Sequence, residues 1–236
     1  MLKRTAAVAM LSLVLVGCVA WDEQDDSAGG GSSQSEGPMT GLRFTYVGSA
    51  PVGTIDQTIS ITNPSRTHAL IPTLSFEALD ADDEPLPDVT VETVFGSDRG
   101  MVVAPARNEV FDILRFEGPG AREVEDVRVT VRGTREVEDA GTVYPQVEYL
   151  DARGEVLDSV YEAETVRLIN AGDADFVVRL VGITWDSPAE GDSQQARTVT
   201  AVGGPVQVAG RGRVEVALSP ADVNAYDSLK PFISAE

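Results

Sequence analysis

The chain has 236 residues, with 18 basic and 38 acidic side chains, and its formal net charge is −20 at pH 7. Such a balance argues against nucleic acid as a ligand and against docking on an anionic membrane surface. Cysteine occurs once, as Cys18, and histidine once, as His68, so the sequence excludes intramolecular disulfide bonds and metal sites built from several histidines.

The N-terminal residues have the order of parts found in an export signal. Lys3 and Arg4 precede an apolar run over 6–16, which is shorter than the roughly 20 residues needed to span a bilayer. Leu15-Val16-Gly17-Cys18 follows, with a branched aliphatic residue at −3 and a small residue at −1 relative to the cysteine. This junction resembles the lipobox of bacterial lipoproteins.

The lipobox resemblance implies where the protein works. Residues 1–17 would be a signal peptide, and Cys18 would carry lipid and become the mature N-terminus. The protein would then be anchored to the cell membrane through its lipid and would face outside the cytoplasm. An ordinary secretory signal with an incidental cysteine, or an N-terminal anchor helix, are the alternatives.

Residues 18–40 are expected to form a flexible acidic linker. This stretch contains Gly29-Gly30-Gly31-Ser32-Ser33, several carboxylates and no lysine or arginine. It has too few apolar side chains to offset the entropy of ordering, and as a Gly/Ser coil it would reach roughly 25 Å. Loss of Lys3 and Arg4 with the signal would leave 16 basic against 38 acidic residues, a net charge of about −22.

From Gly41 onward the sequence has the alternation of half-buried β-strands. Apolar and polar residues alternate in Val127–Arg132, Phe176–Leu180 and Arg213–Val216, and Pro and Gly punctuate the chain between such runs. Between residues 41 and 219 no ten-residue stretch has convincing helical periodicity. We therefore predict an all-β sandwich fold.

Short segments recur along the chain and suggest a duplication. Phe76–Ala81 aligns with Val147–Ala152 at an offset of 71 (151 − 80). A second signature occurs at Ala106–Phe111, at Gly172–Val177 and again at Val208–Val214. A repeated unit of this length is typical of immunoglobulin-like modules, so we predict tandem β-sandwich domains over 41–132 and 133–219, joined near Gly133.

Part of this region is similar to a known class of domain. Asn63 lies in a turn after Ile59–Thr62, and an aromatic-containing strand, Phe76–Asp80, follows it. This arrangement resembles the FxLYD-type and related immunoglobulin-like domains of bacterial lipoproteins, over most of 41–132 and more weakly over 133–219. The resemblance implies a β-sandwich without known chemistry, and it transfers no catalytic residue.

The C-terminal residues, 220–236, are expected to differ from the rest. Ser219-Pro220-Ala221-Asp222 combines an N-cap serine, proline at the first helical position and an acid in the first turn. We predict a short helix that runs through about Leu229 and ends before Pro231.

Few residues are candidates for chemistry. His68 follows the Asn63 turn without a Gly-x-Ser-x-Gly motif, and we interpret it as exposed or hydrogen-bonded within the turn. The clustered carboxylates Asp80, Asp82, Asp83 and Glu84 are a weak candidate for Ca²⁺. The preferred interpretation is a hairpin tip, because Asp151–Glu155 is predicted to form the same turn without the cluster. We expect no catalytic residue, cofactor or metal.

These features favour a non-catalytic cell-envelope lipoprotein. Its immunoglobulin-like modules would bind a protein partner, not identified by the sequence, or act structurally at the cell surface. A solute-binding lipoprotein of a transporter is one alternative, although such proteins usually contain long helices. A secreted hydrolase is the other, and it would require a nucleophile or an acid pair that the sequence does not place.

Overall fold

The computed structural model describes residues 35–36, by their backbone only, and residues 41–50, 55–138, 142, 144–189 and 192–235 with their side chains. Cys18, the rest of the lipobox and nearly all of the linker lie outside these described residues. The all-β prediction is confirmed, because the described chain consists of antiparallel strands with a single turn of 3₁₀ helix at Ser97–Arg99.

The strands are numbered in chain order. They are β1 (Ser35–Glu36), β2 (Arg43–Val47), β3 (Thr58–Thr62), β4 (His68–Leu79), β5 (Thr90–Thr93), β6 (Glu109–Glu117), β7 (Asp126–Glu138), β8 (Gln146–Leu150), β9 (Val156–Leu157), β10 (Thr165–Ile169), β11 (Phe176–Trp185), β12 (Ala196–Val208), β13 (Arg213–Ala217) and β14 (Ser228–Ser234). The three alternating segments identified in the sequence therefore lie in β7, β11 and β13.

Strands β1 to β7, which we call the first half of the chain, form one outer sheet and one strand pair. The outer sheet has the order β1-β2-β3-β6-β5, and β4 pairs with β7 along its whole length. Alternation decides which side chains face inward. In β3 the side chains of Ile59 and Ile61 are buried, whereas Thr58 and Ser60 are partly exposed.

Strands β8 to β14, which we call the second half, have a similar arrangement. Its outer sheet has the order β13-β10-β8-β9, and a second sheet has the order β12-β11-β14. β10 lies between β8 and β13, as β3 lies between β2 and β6. β11 pairs with β14, as β4 pairs with β7. The two halves therefore share these strand pairings, but their edge strands differ, because β5 lies beside β6 whereas β9 lies beside β8.

Residues 101–104 join the two halves through backbone hydrogen bonds. On one side, Leu70 and Ala104 exchange bonds of 2.9 and 2.8 Å. On the other, the N–H of Val103 donates to the carbonyl of Ile233 (3.1 Å). The N–H of Ala235 donates to the carbonyl of Met101 (2.9 Å) and extends the pairing. Both bridges are antiparallel, so a central sheet runs in the order β7-β4-(101–104)-β14-β11-β12.

The central sheet separates two hydrophobic cores, each closed by one outer sheet. Successive residues of β4 point to opposite faces, so Leu70 lies in the first core with Ile59, whereas Ala69 lies in the second core with Leu168. Phe232 of β14 lies in the first core although it belongs to the second half. Each core therefore contains side chains from both halves.

The region around Gly133 is continuous strand. β7 pairs with β4 on both sides of this residue, and the register shift between Thr73 and Leu74 is a local bulge. The expected junction near Gly133 therefore lies within a strand. The division into separate domains over 41–132 and 133–219 stays a prediction.

The predicted C-terminal helix is wrong. One turn forms, because the N–H of Val223 donates to the carbonyl of Ser219 (3.2 Å), but Asn224 then adopts a left-handed backbone with φ 60°. β14 follows and pairs with β11 from Ser228 to Ser234. An isolated helix of about ten residues is marginal in water, whereas the strand gains a ladder of hydrogen bonds and buries side chains on both faces.

Candidate functional site

The predicted lipidation site, Cys18, lies outside the described residues. Within the part of the chain that the structure describes, no helix has the length and apolar character needed to cross a membrane.

His68 is the first residue of β4 and is bonded to the turn that precedes this strand. Its Nδ1 atom pairs with the hydroxyl of Thr67 (2.9 Å), its backbone N–H donates to the Ser65 hydroxyl (3.1 Å), and its carbonyl accepts a bond from the Asn63 side chain (2.9 Å). The side chain is exposed. The interpretation of His68 as an exposed, turn-bonded residue is confirmed.

The acidic segment at 80–84 forms a tight turn whose acceptor is one carboxylate. Asp80 Oδ1 accepts the backbone N–H groups of Asp82 (2.9 Å) and Glu84 (3.0 Å). Asp151 Oδ1 accepts the N–H groups of Arg153 and Glu155 in the same way, both at 2.8 Å. The prediction that both segments form one kind of turn is confirmed.

These turns need no metal to explain them. Backbone donors hold the carboxylate of Asp151 and lower its pKa. In the described residues, no group of three or more His, Cys, Asp and Glu side chains is arranged to hold a metal ion. Asp82, Asp83 and Glu84 point into solvent at the tip of their turn.

A buried asparagine organises the corresponding turn in each half. Asn63 donates its side-chain amide to the carbonyls of His68 (2.9 Å) and Ala104 (2.8 Å), and its Oδ1 accepts the N–H of Ser65 (2.9 Å). This turn lies where the chain leaves the outer sheet and enters the central sheet, so the amide ties the two sheets together.

Asn170 occupies the same place in the second half. Its amide donates to the carbonyls of Ala174 (2.7 Å) and Ala209 (3.2 Å), and its Oδ1 accepts the N–H of Gly172 (2.9 Å). The sequence pattern predicted the turn at Asn63 but not the equivalent turn at Asn170. The offset of 107 (170 − 63) differs from the 71 found by aligning short motifs, because the Asp80 and Asp151 turns do not follow equivalent strands.

A second loop closes each asparagine turn. Arg107 has a left-handed backbone (φ 58°) and donates its N–H to the carbonyl of Ser65 (3.0 Å). Arg211 has φ 54° and donates to the carbonyl of Gly172 (2.8 Å). The repeated signature at Ala106–Phe111 and Val208–Val214 therefore marks equivalent loops, whereas Gly172–Val177 belongs to the facing turn.

The two turns differ in charge. In the second half, Asp173 and Arg211 form an ion pair, which lowers the pKa of Asp173 and raises that of Arg211. In the first half, the equivalent positions are Arg66 and Arg107. Among the described residues, neither of these arginines has a carboxylate within 4.0 Å.

Arg66 and Arg107 line an open pocket of about 440 Å³. Among the described residues its remaining lining is Thr62, Asn63 and Pro64, none of which is acidic. The nearby carboxylate of Glu109 is held by hydroxyl groups on β3, at 2.8 Å from that of Ser60 and 3.5 Å from that of Thr62. We name this pocket the Arg66–Arg107 pocket and take it as the candidate site.

Another pocket, of about 360 Å³, lies between the β6–β7 loop and residues 186–197. Arg115 in its wall pairs with Glu92 and Glu117, and Arg122 pairs with Asp192. Because carboxylates already balance the charge of both guanidinium groups, this pocket is a weaker candidate for an anionic ligand, although the buried Nε of Arg115 has no hydrogen-bond partner among the described residues.

Comparison with known proteins assigns this chain to no family. No protein-family model matches its sequence, and no curated protein matches it.

Proposed function

We propose that this protein is a bacterial cell-envelope lipoprotein, anchored outside the cytoplasmic membrane through Cys18, that works by binding and not by catalysis. The support for the anchor is the order of basic residues, apolar run and Leu15–Cys18 junction in the sequence. The acidic, Gly/Ser-rich residues after Cys18 are suited to a tether that keeps the β-sheet body away from an anionic membrane surface.

The observation that carries the binding function is the continuous backbone pairing through residues 101–104. It holds the strands of both halves in one sheet, with Val103 bonded to Ile233. A sheet built this way holds the ends of its loops in fixed positions, so that little conformational entropy is lost when a partner binds to the loops.

The residues considered as candidates for chemistry make hydrogen bonds within their own turns. His68 and Asp80 make the hydrogen bonds that shape their own turns. A hydrolase would need a nucleophile activated by an oriented base. The hydroxyl bonded to His68, that of Thr67, belongs to the same exposed turn. The solute-binding alternative has little support, since the described chain contains only the 3₁₀ turn at Ser97–Arg99 as helix.

Membrane fractionation of a Cys18→Ser variant tests the anchor. We expect the wild-type protein in the membrane fraction, with a lipid mass on the N-terminal cysteine. The variant should be released, or it should retain its signal. Ser27→Ala, a change in the linker, is the matched control and should behave as wild type. Unmodified Cys18 on soluble mature wild-type protein would contradict the proposal.

Affinity capture from native membranes tests binding without catalysis. The tagged protein should retain one partner in a defined stoichiometry. His68→Ala and Asp80→Ala variants that remain folded should capture it equally well. Loss of the cellular phenotype with His68→Ala, at unchanged stability, would instead identify an active site.

A further inference from the structure

We infer that Arg66 and Arg107 form a binding site for a carboxylate side chain of an acidic segment in a partner protein. The inference deepens the proposed binding function, because it names the chemistry that the body recognises. The Arg66–Arg107 pocket is formed by the same turn that carries an ion pair in the second half.

The second half acts as an internal reference. Arg66 corresponds to Asp173 at the offset that relates Asn63 to Asn170 (173 − 66 = 107), and Arg107 corresponds to Arg211 (211 − 107 = 104). The same backbone bonds hold both loops. In the second half the chain supplies the carboxylate itself, whereas in the first half it supplies a second guanidinium.

Hydrogen bonds fix the position of the Arg107 backbone. Its N–H is bonded to Ser65, whose own N–H is bonded to Asn63, and Asn63 is buried. The Arg66 and Arg107 side chains are exposed, so a partner can reach them without opening the fold. Guanidinium groups bind carboxylates through paired N–H donors, and two of them can share one carboxylate.

The partner's chemistry follows from charge and shape. A net charge of −20 repels polyanions at long range, so the site suits a few carboxylates and not a nucleic acid or a polyphosphate. The pocket is lined by residues of one turn and one loop and does not enclose a small molecule. An acidic side chain carried by a larger protein surface is the occupant that fits.

Peptide binding to the purified full chain tests this site. The probe is an unlabelled peptide with two glutamates between glycines and with both termini capped, measured by isothermal titration calorimetry at low ionic strength, where exposed charges are least screened. Arg66→Gln and Arg107→Gln should each weaken binding roughly two- to fivefold, the loss expected for a solvent-exposed ion pair. Arg211→Gln, the matched change in the second half, should leave the affinity unchanged.

Two charge exchanges sharpen the test. Arg66→Asp rebuilds the Asp173–Arg211 arrangement in the first half, and it should abolish peptide binding while the protein keeps its circular dichroism spectrum and Tm. Asp173→Arg creates the arginine pair in the second half and should raise the stoichiometry from one peptide to two. If the latter variant does not fold, Arg66→Asp still decides the question.

Defined outcomes overturn the inference. Unchanged peptide binding by folded Arg66→Asp would do so, as would an equal loss with Arg211→Gln. Inorganic phosphate that competes as strongly as the glutamate peptide would overturn the assignment to carboxylates. None of these measurements uses the lipid or the native partner. The anchor and affinity-capture experiments therefore succeed or fail independently of this site.

Discussion

Asn63 and Asn170 make the same contacts in the two halves of the chain. Each buried amide donates to one carbonyl at the end of its own turn and to one on the facing segment, and each Oδ1 accepts the N–H two residues onward. In each half the chain crosses from an outer sheet to the central sheet at this residue. The asparagine therefore replaces the backbone partners that a strand would have supplied.

Replacement of either asparagine should destabilise the protein. Asn63→Ala and Asn170→Ala remove the buried side-chain hydrogen bonds that hold each turn, and we expect each to lower the free energy of unfolding by about 2 kcal/mol. Asn63→Asp should cost more, because it sets a carboxylate against carbonyl oxygens. Urea denaturation measures these changes.

Asn108→Ala is the control for both variants. Asn108 is exposed and, among the described residues, its side chain bonds only to the carbonyl of Ala106 (3.0 Å). Its loss should therefore change the free energy of unfolding by less than about 0.5 kcal/mol. Equal effects of Asn108→Ala and Asn63→Ala would contradict the assigned role.

Asp112 is a buried carboxylate that positions the chain between β5 and the 3₁₀ turn. It accepts the backbone N–H groups of Phe95 (2.7 Å), Ser97 (2.9 Å) and Ile113 (2.8 Å). Asp112→Asn directs an amide N–H₂ toward one of these donors, so we expect a loss of about 1–3 kcal/mol in the free energy of unfolding.

The same residue should leave a pH signature. Burial raises the pKa of Asp112, against the opposing effect of its backbone donors. The folded state therefore binds the proton more tightly than the unfolded state. Stability from this group is complete below the unfolded pKa and declines as pH rises toward the folded pKa. The stability advantage of wild type over Asp112→Asn should thus shrink from pH 4 upward; an advantage that grows with pH would contradict this direction.

Phe95 and Phe232 connect the two halves through the first core. Their rings are stacked with centroids 5.0 Å apart and planes inclined by 17°. Phe95→Leu and Phe232→Leu should each cost about 1 kcal/mol. Their double-mutant cycle should give a coupling energy of about 0.5–1.5 kcal/mol, as measured by denaturation.

The control pair for this cycle is Phe95→Leu with Leu168→Val. Leu168 lies in the second core, so these two effects should add to within about 0.5 kcal/mol. Because side chains from both halves share each core, thermal unfolding should be one cooperative transition. Two separate transitions, or stable proteolytic fragments on either side of residues 134–141, would instead favour the expected division into domains.

Substitution of Gly182, which contacts Tyr226, tests the packing of the C-terminal residues on β11. A Cβ atom at Gly182 would lie 2.5 Å from the Tyr226 ring, so Gly182→Ala should lower the free energy of unfolding by about 1–3 kcal/mol. Gly133→Ala in β7 meets no atom within 4 Å and should instead stabilise by about 0.5 kcal/mol. Equal effects of the two substitutions on Tm would show that Tyr226 does not cover β11.

Local patterns were sufficient to predict the class of fold. Alternation in Val127–Arg132 and Phe176–Leu180 predicted strands, because burial on one face of a sheet imposes a period of two on any strand. The turns at Asp80 and Asp151 were also predictable, since their hydrogen bonds join residues only two to four positions apart.

Long-range pairing decided what the sequence could not. The helix signals at Ser219–Asp222 act over one turn, and they were overridden by the pairing of β14 with the distant strand β11. The bond between Val103 and Ile233 joins residues far apart in the chain, and nothing beside either residue marks it.

The candidate site also depends on contacts between distant segments. Arg66 and Arg107 are ordinary surface arginines in the sequence, and a short motif does not show that their loops meet. The fold brings the loops together through Asn63, and comparison with Asp173 and Arg211 shows which charge is reversed. Sequence patterns thus determined which residues face inward, through local periodicity. Only the tertiary structure decided which loops face each other, because contacts between distant segments depend on the whole sheet order.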